Sequence, residues 1–167
     1  MLRLYLDSST IIKRYITEPG TQTTDSIFDQ AEAGELVVTF SIWNLGEVFG
    51  VLDERRRRGW LHEDEFARTI GALSNELIKL KRLRVLEVAP IHTSILTEAW
   101  SFILSQHIYE ADAIQITSCR YTQSDAILSS DENLVKASRR LGIEVYDTAK
   151  EEHEFREFMK SKRTASS

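Results

Sequence analysis

Residues 126–147, AILSSDENLVKASRRLGIEVYD, decide the fold. AILSS (126–130) reads as a short apolar strand, 132–141 as a helix and IEVYD (143–147) as a second strand. Two strands joined by a helix call for a right-handed crossover and hence a parallel pair.

The same alternation continues outward from this unit. LRLYL (2–6) is a strand, followed by a short helix IIKRY that Ser8, Ser9 or Thr10 can cap and that ends before Pro19. A helix over 21–33 stops at Gly34, LVVTF (36–40) is the next strand, and Ser41 caps a helix that runs to Arg58 and ends at Gly59. Residues 61–83 carry Phe66, Ile70, Leu73, Leu77 and Leu80 at spacings of three and four, the mark of an amphipathic helix. RVLEV (84–88) is a strand, and 91–106 and 108–122 are helices. The pattern predicts an α/β protein, a mostly parallel central sheet with helices on both faces.

With 167 residues and 42% apolar content, the chain suffices for one domain with a proper core, expected over 1–149. Residues 150–167 are highly charged and are expected as a solvated, partly frayed helix ending in a disordered RTASS. No stretch approaches the ~20 uncharged apolar residues of a membrane span, and the expectation is a cytoplasmic protein without a signal peptide. The single cysteine, Cys119, has no disulfide partner and no metal-ligand spacing, and is expected to be buried. A net charge of −5 argues against indiscriminate coating of nucleic acid, yet it leaves nucleic acid open as a substrate.

Four acids draw attention. Ligands of an open parallel sheet gather at the carboxyl ends of its strands. Asp7 directly follows the first strand, and Asp131 lies just beyond AILSS. Either alone reads as a helix cap. Glu47, in the apolar run SIWNLGEVFGVL, and Asp112, early in IYEADAIQITSC, have no Lys or Arg within one turn. Inward-facing carboxylates without cationic partners are reconciled by a shared metal ion, and an all-oxygen set suits Mg²⁺ or Mn²⁺ rather than Zn²⁺. Two such ions would clamp a phosphodiester and lower the pKa of a bound water.

With these residues in view, the chain resembles the PIN-domain nucleases, and among them the VapC-like toxins of toxin–antitoxin pairs. The resemblance runs through LYLDSSTIIKRY, SIWNLGEV, YEADAIQITSC and ILSSDENLVKASRRLGIEV, almost the whole chain. It implies an α/β/α sandwich and a Mg²⁺- or Mn²⁺-dependent endoribonuclease acting on RNA, homodimeric and held inactive by a small antitoxin protein. It also implies that Asp7, Glu47, Asp112 and Asp131 are the metal ligands and that Ser129 steadies the site by hydrogen bonding. Of Glu110 and Asp112, the second keeps the Asp-Ala pattern. A housekeeping RNA-processing nuclease and a catalytically idle binding module are the alternatives. An aspartyl-phosphate chemistry is disfavoured, because Ser9 stands where Asp-x-Asp needs its second acid.

The run Arg55-Arg56-Arg57-Arg58 reads as a solvated helix end suited to the helix dipole, or as a phosphate or partner contact. Lys79, Lys81, Arg82 and Arg84 read the same way. His62, His92, His107 and His153 are scattered and none is expected to be catalytic. Trp43, Trp60 and Trp100 are expected in core or dimer packing, and Leu45 to Leu52 in a dimer face or antitoxin groove.

Overall fold

The computed structural model describes residues 1–165. Five strands form one sheet in the order β3-β2-β1-β4-β5, and every neighbouring pair is parallel. They are β1 (Leu2–Leu6), β2 (Leu36–Ser41), β3 (Leu86–Ala89), β4 (Ala126–Leu128) and β5 (Val145–Tyr146). The helices between them are α1 (Ser8–Ile12), α2 (Thr21–Glu32), α3 (Ile42–Arg57), α4 (Glu63–Arg82), α5 (Thr93–Gln106), α6 (Glu110–Tyr121) and α7 (Glu132–Arg140), with α8 (Glu152–Ala165) last. Among the described residues no helix is long and apolar enough to cross a membrane.

The strands are apolar on both sides because both faces of the sheet are covered. Leu4, Leu6, Val38, Phe40 and Leu128 join α1 to α4 and α8 in one core. Tyr5 and Ile127, one residue out of phase, join α5, α6 and α7 in the other. The period-two alternation of strand side chains therefore divides a continuous hydrophobic run between two cores, giving three layers.

The strand order also sets the position of the site. From central β1 the chain moves outward through β2 and β3, then returns to the other side for β4 and β5. Direction reverses between β1 and β4, and at such a switch point the connections leave the carboxyl edge on opposite sides, opening a crevice. Asp7 leaves β1 there, and its amide donates to the Leu128 carbonyl of β4 at 3.1 Å.

Three expectations change. The first short helix begins at Ser8 and is capped by Asp7, whose side chain accepts from the Thr10 amide, so Ser8, Ser9 and Thr10 lie inside it. Trp43, Trp60 and Trp100 are all exposed and belong to neither core, so of core or dimer packing only the core is excluded. An aromatic residue has no helix-face preference of its own, and Trp60 lies just past a helix, under the Arg58 guanidinium. The charged tail forms α8, which packs through buried Phe155 and Met159 onto the first core, with Tyr146 against the Phe155 and Phe158 rings. Those apolar residues recur at three and four and form a stripe. Ser166 and Ser167 of the expected disordered end lie outside the described residues.

Candidate metal centre

Asp7 is the most constrained of the four acids. It is buried, and donors surround its carboxylate: Ser9 Oγ at 2.7 and 2.9 Å, the Thr10 amide at 2.8 Å and Ser129 Oγ at 2.6 Å. Burial nevertheless pushes its pKa up to about 6, because desolvation of the charge outweighs those hydrogen bonds. Ser129, also buried, accepts from the Asp131 amide at 2.9 Å. Asp131 then caps α7, with Oδ1 accepting from the amides of Asn133 at 2.8 Å and Leu134 at 3.3 Å. A single hydroxyl thus links the residue after β1 to the residue that starts α7.

The other two acids come from helices on opposite faces of the sheet. Asp112 sits in the first turn of α6 and is buried, whereas Glu110 is exposed. No described side chain donates a hydrogen bond to Asp112, and its pKa is pushed up to about 6. Burial is the largest cause, followed by the negative charges of Asp131, Glu47 and Asp7. Asp112 therefore lies in the field of the other three acids. Glu47 is half-buried on α3, and its Oε2 is enclosed without a hydrogen-bond partner. Among the described residues the enclosed, unpartnered side-chain polar atoms lie on Thr24, Glu47, Arg56, Ser118 and Ser138, and only that of Glu47 is a carboxylate oxygen.

A buried amide pair registers these two helices against the sheet. Asn44 Oδ1 accepts from the Ser41 amide at 2.9 Å, from Ser41 Oγ at 2.8 Å and from the Tyr5 hydroxyl at 2.8 Å. Its Nδ2 donates to Gln115 Oε1 at 2.9 Å. Asn44 precedes Glu47 by three residues and Gln115 follows Asp112 by three, so each amide lies one turn from an acid on the same helix side. Neither residue is singled out by the sequence analysis. Their spacing from the acids was the available signal.

Lys13 was missed altogether. It is buried one residue beyond α1, and its Nζ donates to Ser130 Oγ and, at 2.9 Å, to Thr148 Oγ1. Ser130 Oγ donates to Asp147 at 2.8 Å, and the Ser130 amide donates to Ser9 Oγ at 2.8 Å. Burial lowers the pKa of the ammonium, opposed by the charges of Asp147, Asp7 and Glu18. Gly20, at φ +93°, packs so closely that an added Cβ would stand 2.8 Å from the Thr148 carbonyl oxygen. The Ser129–Asp131 turn is thereby held from both sides.

As placed, no three His, Cys, Asp or Glu side chains among the described residues stand close enough together to hold a metal ion. The donor set still fits a hard divalent cation: every candidate ligand is a carboxylate oxygen, Asp112 has no side-chain donor, and one Glu47 oxygen is enclosed and unpaired.

The remaining charged and aromatic features lie apart from the acids or serve the scaffold. Each arginine of the Arg55–Arg58 run has its own acid: Arg55 pairs with Glu18, Arg56 with Asp53 and Glu63, Arg57 with Asp53, and Arg58 with Glu54. Lys79 pairs with Glu32. His62 and His92 cap α4 and α5, and His107 closes α5 in the left-handed region. Cys119 is buried, and burial pushes its thiol up to about 12. Of Leu45 to Leu52, Val48 and Leu52 are in the core, while Phe49 is exposed along with Ile42 and Trp43.

Comparison with known proteins adds the following. The family profile described as PIN domain matches residues 4–140. A search of the curated proteins finds no match to this chain. Among solved structures, VapC20 of Mycobacterium tuberculosis, described as a sarcin-ricin-loop-cleaving toxin, superposes with a TM-score of 0.56 at 17% identity, over 80% of this chain and 94% of that one. FitAcB from Neisseria gonorrhoeae gives 0.61 at 14% identity, over 87% and 97%. VapBC2 from Rickettsia felis, solved with a DNA fragment from its promoter, gives 0.60 at 9% identity, over 87% and 98%. At these identities the likeness is one of fold.

Proposed function

This chain belongs to the PIN-domain family, and from that premise we propose that it is a Mg²⁺- or Mn²⁺-dependent endoribonuclease, the toxin of a toxin–antitoxin pair. Asp7, Glu47, Asp112 and Asp131 would hold the metal. The observation that carries this reading is the enclosed, unpartnered Oε2 of Glu47, near an Asp112 whose pKa is raised first by burial and then by the charges of Asp131, Glu47 and Asp7. A buried carboxylate with neither donor nor counter-charge is disfavoured unless a cation completes it.

A divalent ion at such a site supplies Lewis acidity for the phosphoryl oxygens and acidifies a water that can attack phosphorus. The protein's share is positioning. Ser129, Ser9 and the Thr10 amide orient Asp7, and Ser129 fixes the Asp131 backbone. Asn44 and Gln115 register the helices that bear Glu47 and Asp112. Glu47 and Asp131 are less buried than the other two and would complete the set.

VapC20 is described as a toxin that cleaves the sarcin-ricin loop, which supports RNA as the substrate class here. VapBC2 was solved with DNA from its promoter, which suits a toxin working with a small DNA-binding antitoxin. Exposed Ile42, Trp43 and Phe49 on α3 support an apolar contact, assigned to a homodimer or to that antitoxin. A neighbouring reading frame encoding a small DNA-binding protein separates a toxin from a housekeeping processing nuclease.

The test is cleavage of RNA by the purified full chain with Mg²⁺ or Mn²⁺, beside an Asp7→Asn protein of the same preparation. Metal-dependent cleavage that the variant lacks is expected. Equal cleavage by both proteins, or none by the wild type with either ion, rejects the assignment.

A further inference from the structure

An open cleft of about 680 Å³ has Asp112, alone of the four acids, in its wall. Across from Asp112 the wall is α7, which contributes Asn133, Lys136, Arg139 and Arg140, while Tyr109 enters from the N-terminal end of α6. The volume is that of a ligand site. Asn133, Lys136 and Arg140 are spaced by three and four residues and share one helix side. They run in line away from Asp131, the cap of the same helix.

These cations are unlike those of the Arg55–Arg58 run. Arg139 is committed to Glu151, but Arg140 has no ion-pair partner among the described residues, and Lys136 meets only Glu132, at 3.8 Å in the open. Basic residues at the last turn of a helix complement its dipole. That accounts for their place in α7, but not for a shared wall with an acid of the candidate metal centre. Tyr109 is 74% exposed and makes no side-chain hydrogen bond among the described residues.

Building on the nuclease reading, we propose that this cleft is the track by which a single RNA strand reaches the carboxylates, with successive phosphates on Lys136 and Arg140 and an unpaired base stacked on Tyr109. Four residues of helical rise separate the two cations by about 6 Å along α7, comparable with the step between neighbouring phosphates of a strand. An aromatic ring open to solvent recognises a base only when that base is unstacked from a duplex, which selects single-stranded RNA. The track also reconciles a net charge of −5 with an anionic substrate, because the positive wall lies beside the acids that most need shielding from it.

The experiment measures binding of a short fluorescein-labelled oligouridylate by full-length Asp7→Asn protein in Mg²⁺, with the same strand paired to oligoadenylate as the second probe. Lys136→Glu/Arg140→Glu is expected to weaken binding roughly tenfold or more and to flatten the log–log salt slope by about 1.4, two phosphates at ~0.7 each. Tyr109→Ala is expected to weaken it roughly tenfold without changing the slope. Arg57→Glu/Arg58→Glu serves as the distant control and leaves binding unchanged. Melting temperatures confirm that the exposed substitutions leave the fold intact.

Unchanged affinity and slope in Lys136→Glu/Arg140→Glu overturn the proposal. So do equal binding of strand and duplex, loss of binding in the control instead, and no salt-dependent binding of the strand at all. The nuclease reading is judged separately, by cleavage with the wild-type protein. Binding through these residues without cleavage rejects hydrolysis and keeps the track. Cleavage that is undiminished by Lys136→Glu/Arg140→Glu at low RNA concentration rejects the track and keeps hydrolysis.

Discussion

Ser129 donates its hydroxyl to Asp7 across the β1–β4 junction at 2.6 Å, joining residues 122 apart in sequence. The same oxygen accepts from the Asp131 amide, so its removal releases two acids at once. Ser129→Ala is expected to lower RNA cleavage about 10–100-fold, the usual effect of losing a partner that orients a metal ligand. Stability should fall by about 1–3 kcal/mol. Ser129→Thr, which keeps the hydroxyl, should recover much of the rate. Kinetics beside thermal melts decide it, and a Ser129→Ala enzyme of wild-type rate rules the link out as an orienting device.

Asp7 and Asp112 both rise from 3.8 to about 6 on folding. Between about pH 4 and 6 the folded protein therefore binds more protons than the unfolded chain, so stability without metal falls as pH rises through this window. Each buried carboxyl carries on the order of 1–3 kcal/mol of this effect. Millimolar Mg²⁺ or Mn²⁺ should raise the melting temperature above about pH 6 and lose its effect toward pH 4, where protons replace the ion. Melting temperatures of wild type and Asp7→Asn across this range, with and without metal, isolate the contribution. An identical pH slope in both proteins, or no metal effect at neutral pH, contradicts it.

Asn44→Ala should leave Gln115, Tyr5 and Ser41 short of a buried partner and destabilise the protein by about 3 kcal/mol. Metal affinity, measured by titration calorimetry below the melting transition, should weaken about 10–100-fold although Asn44 is no ligand. Gln115→Ala should do the same more mildly. Destabilisation with unchanged affinity would leave the pair a purely structural role.

Lys13→Met keeps the length of the side chain but strands Ser130 and Thr148. The expected loss is about 1–3 kcal/mol, moderated because the wild-type ammonium is itself desolvated. Cleavage should fall along with stability, since Ser130 lies between Ser129 and Asp131. A variant with unaltered melting and rate would show that the turn holds its shape unaided.

The sheet and its helices were legible because strand and helix periods are local properties of the chain. Caps and burial were less so. Asp7 caps α1 while its charge also reaches Asp112, so a helix cap and a candidate ligand can be one residue. The supports of the site escaped because each is defined by a partner far along the chain: Asn44 by Gln115, 71 residues on, and Lys13 by Thr148, 135 residues on. For Trp43, Trp60 and Trp100 ring size could not separate core from dimer packing, and their exposure excludes only the core. In α8 the many charges obscured Phe155, Phe158 and Met159, whose spacing carried the signal.

The crevice between β1 and β4 has a consequence for synthesis. A ribosome releases Asp7 and Glu47 long before Ser129 and Asp131, and the β1 edge that β4 will occupy stays unpaired in the meantime. Pairings of such sequence separation form late, after the nearer ones have been made. An emerging chain can therefore fold β1, β2 and β3 while Asp112, Asp131 and the Ser129 hydroxyl that joins Asp7 to Asp131 are still missing. The crevice is therefore completed only when β4 docks, and until then Asp7 lacks both the Ser129 hydroxyl and the Leu128 carbonyl that hold it.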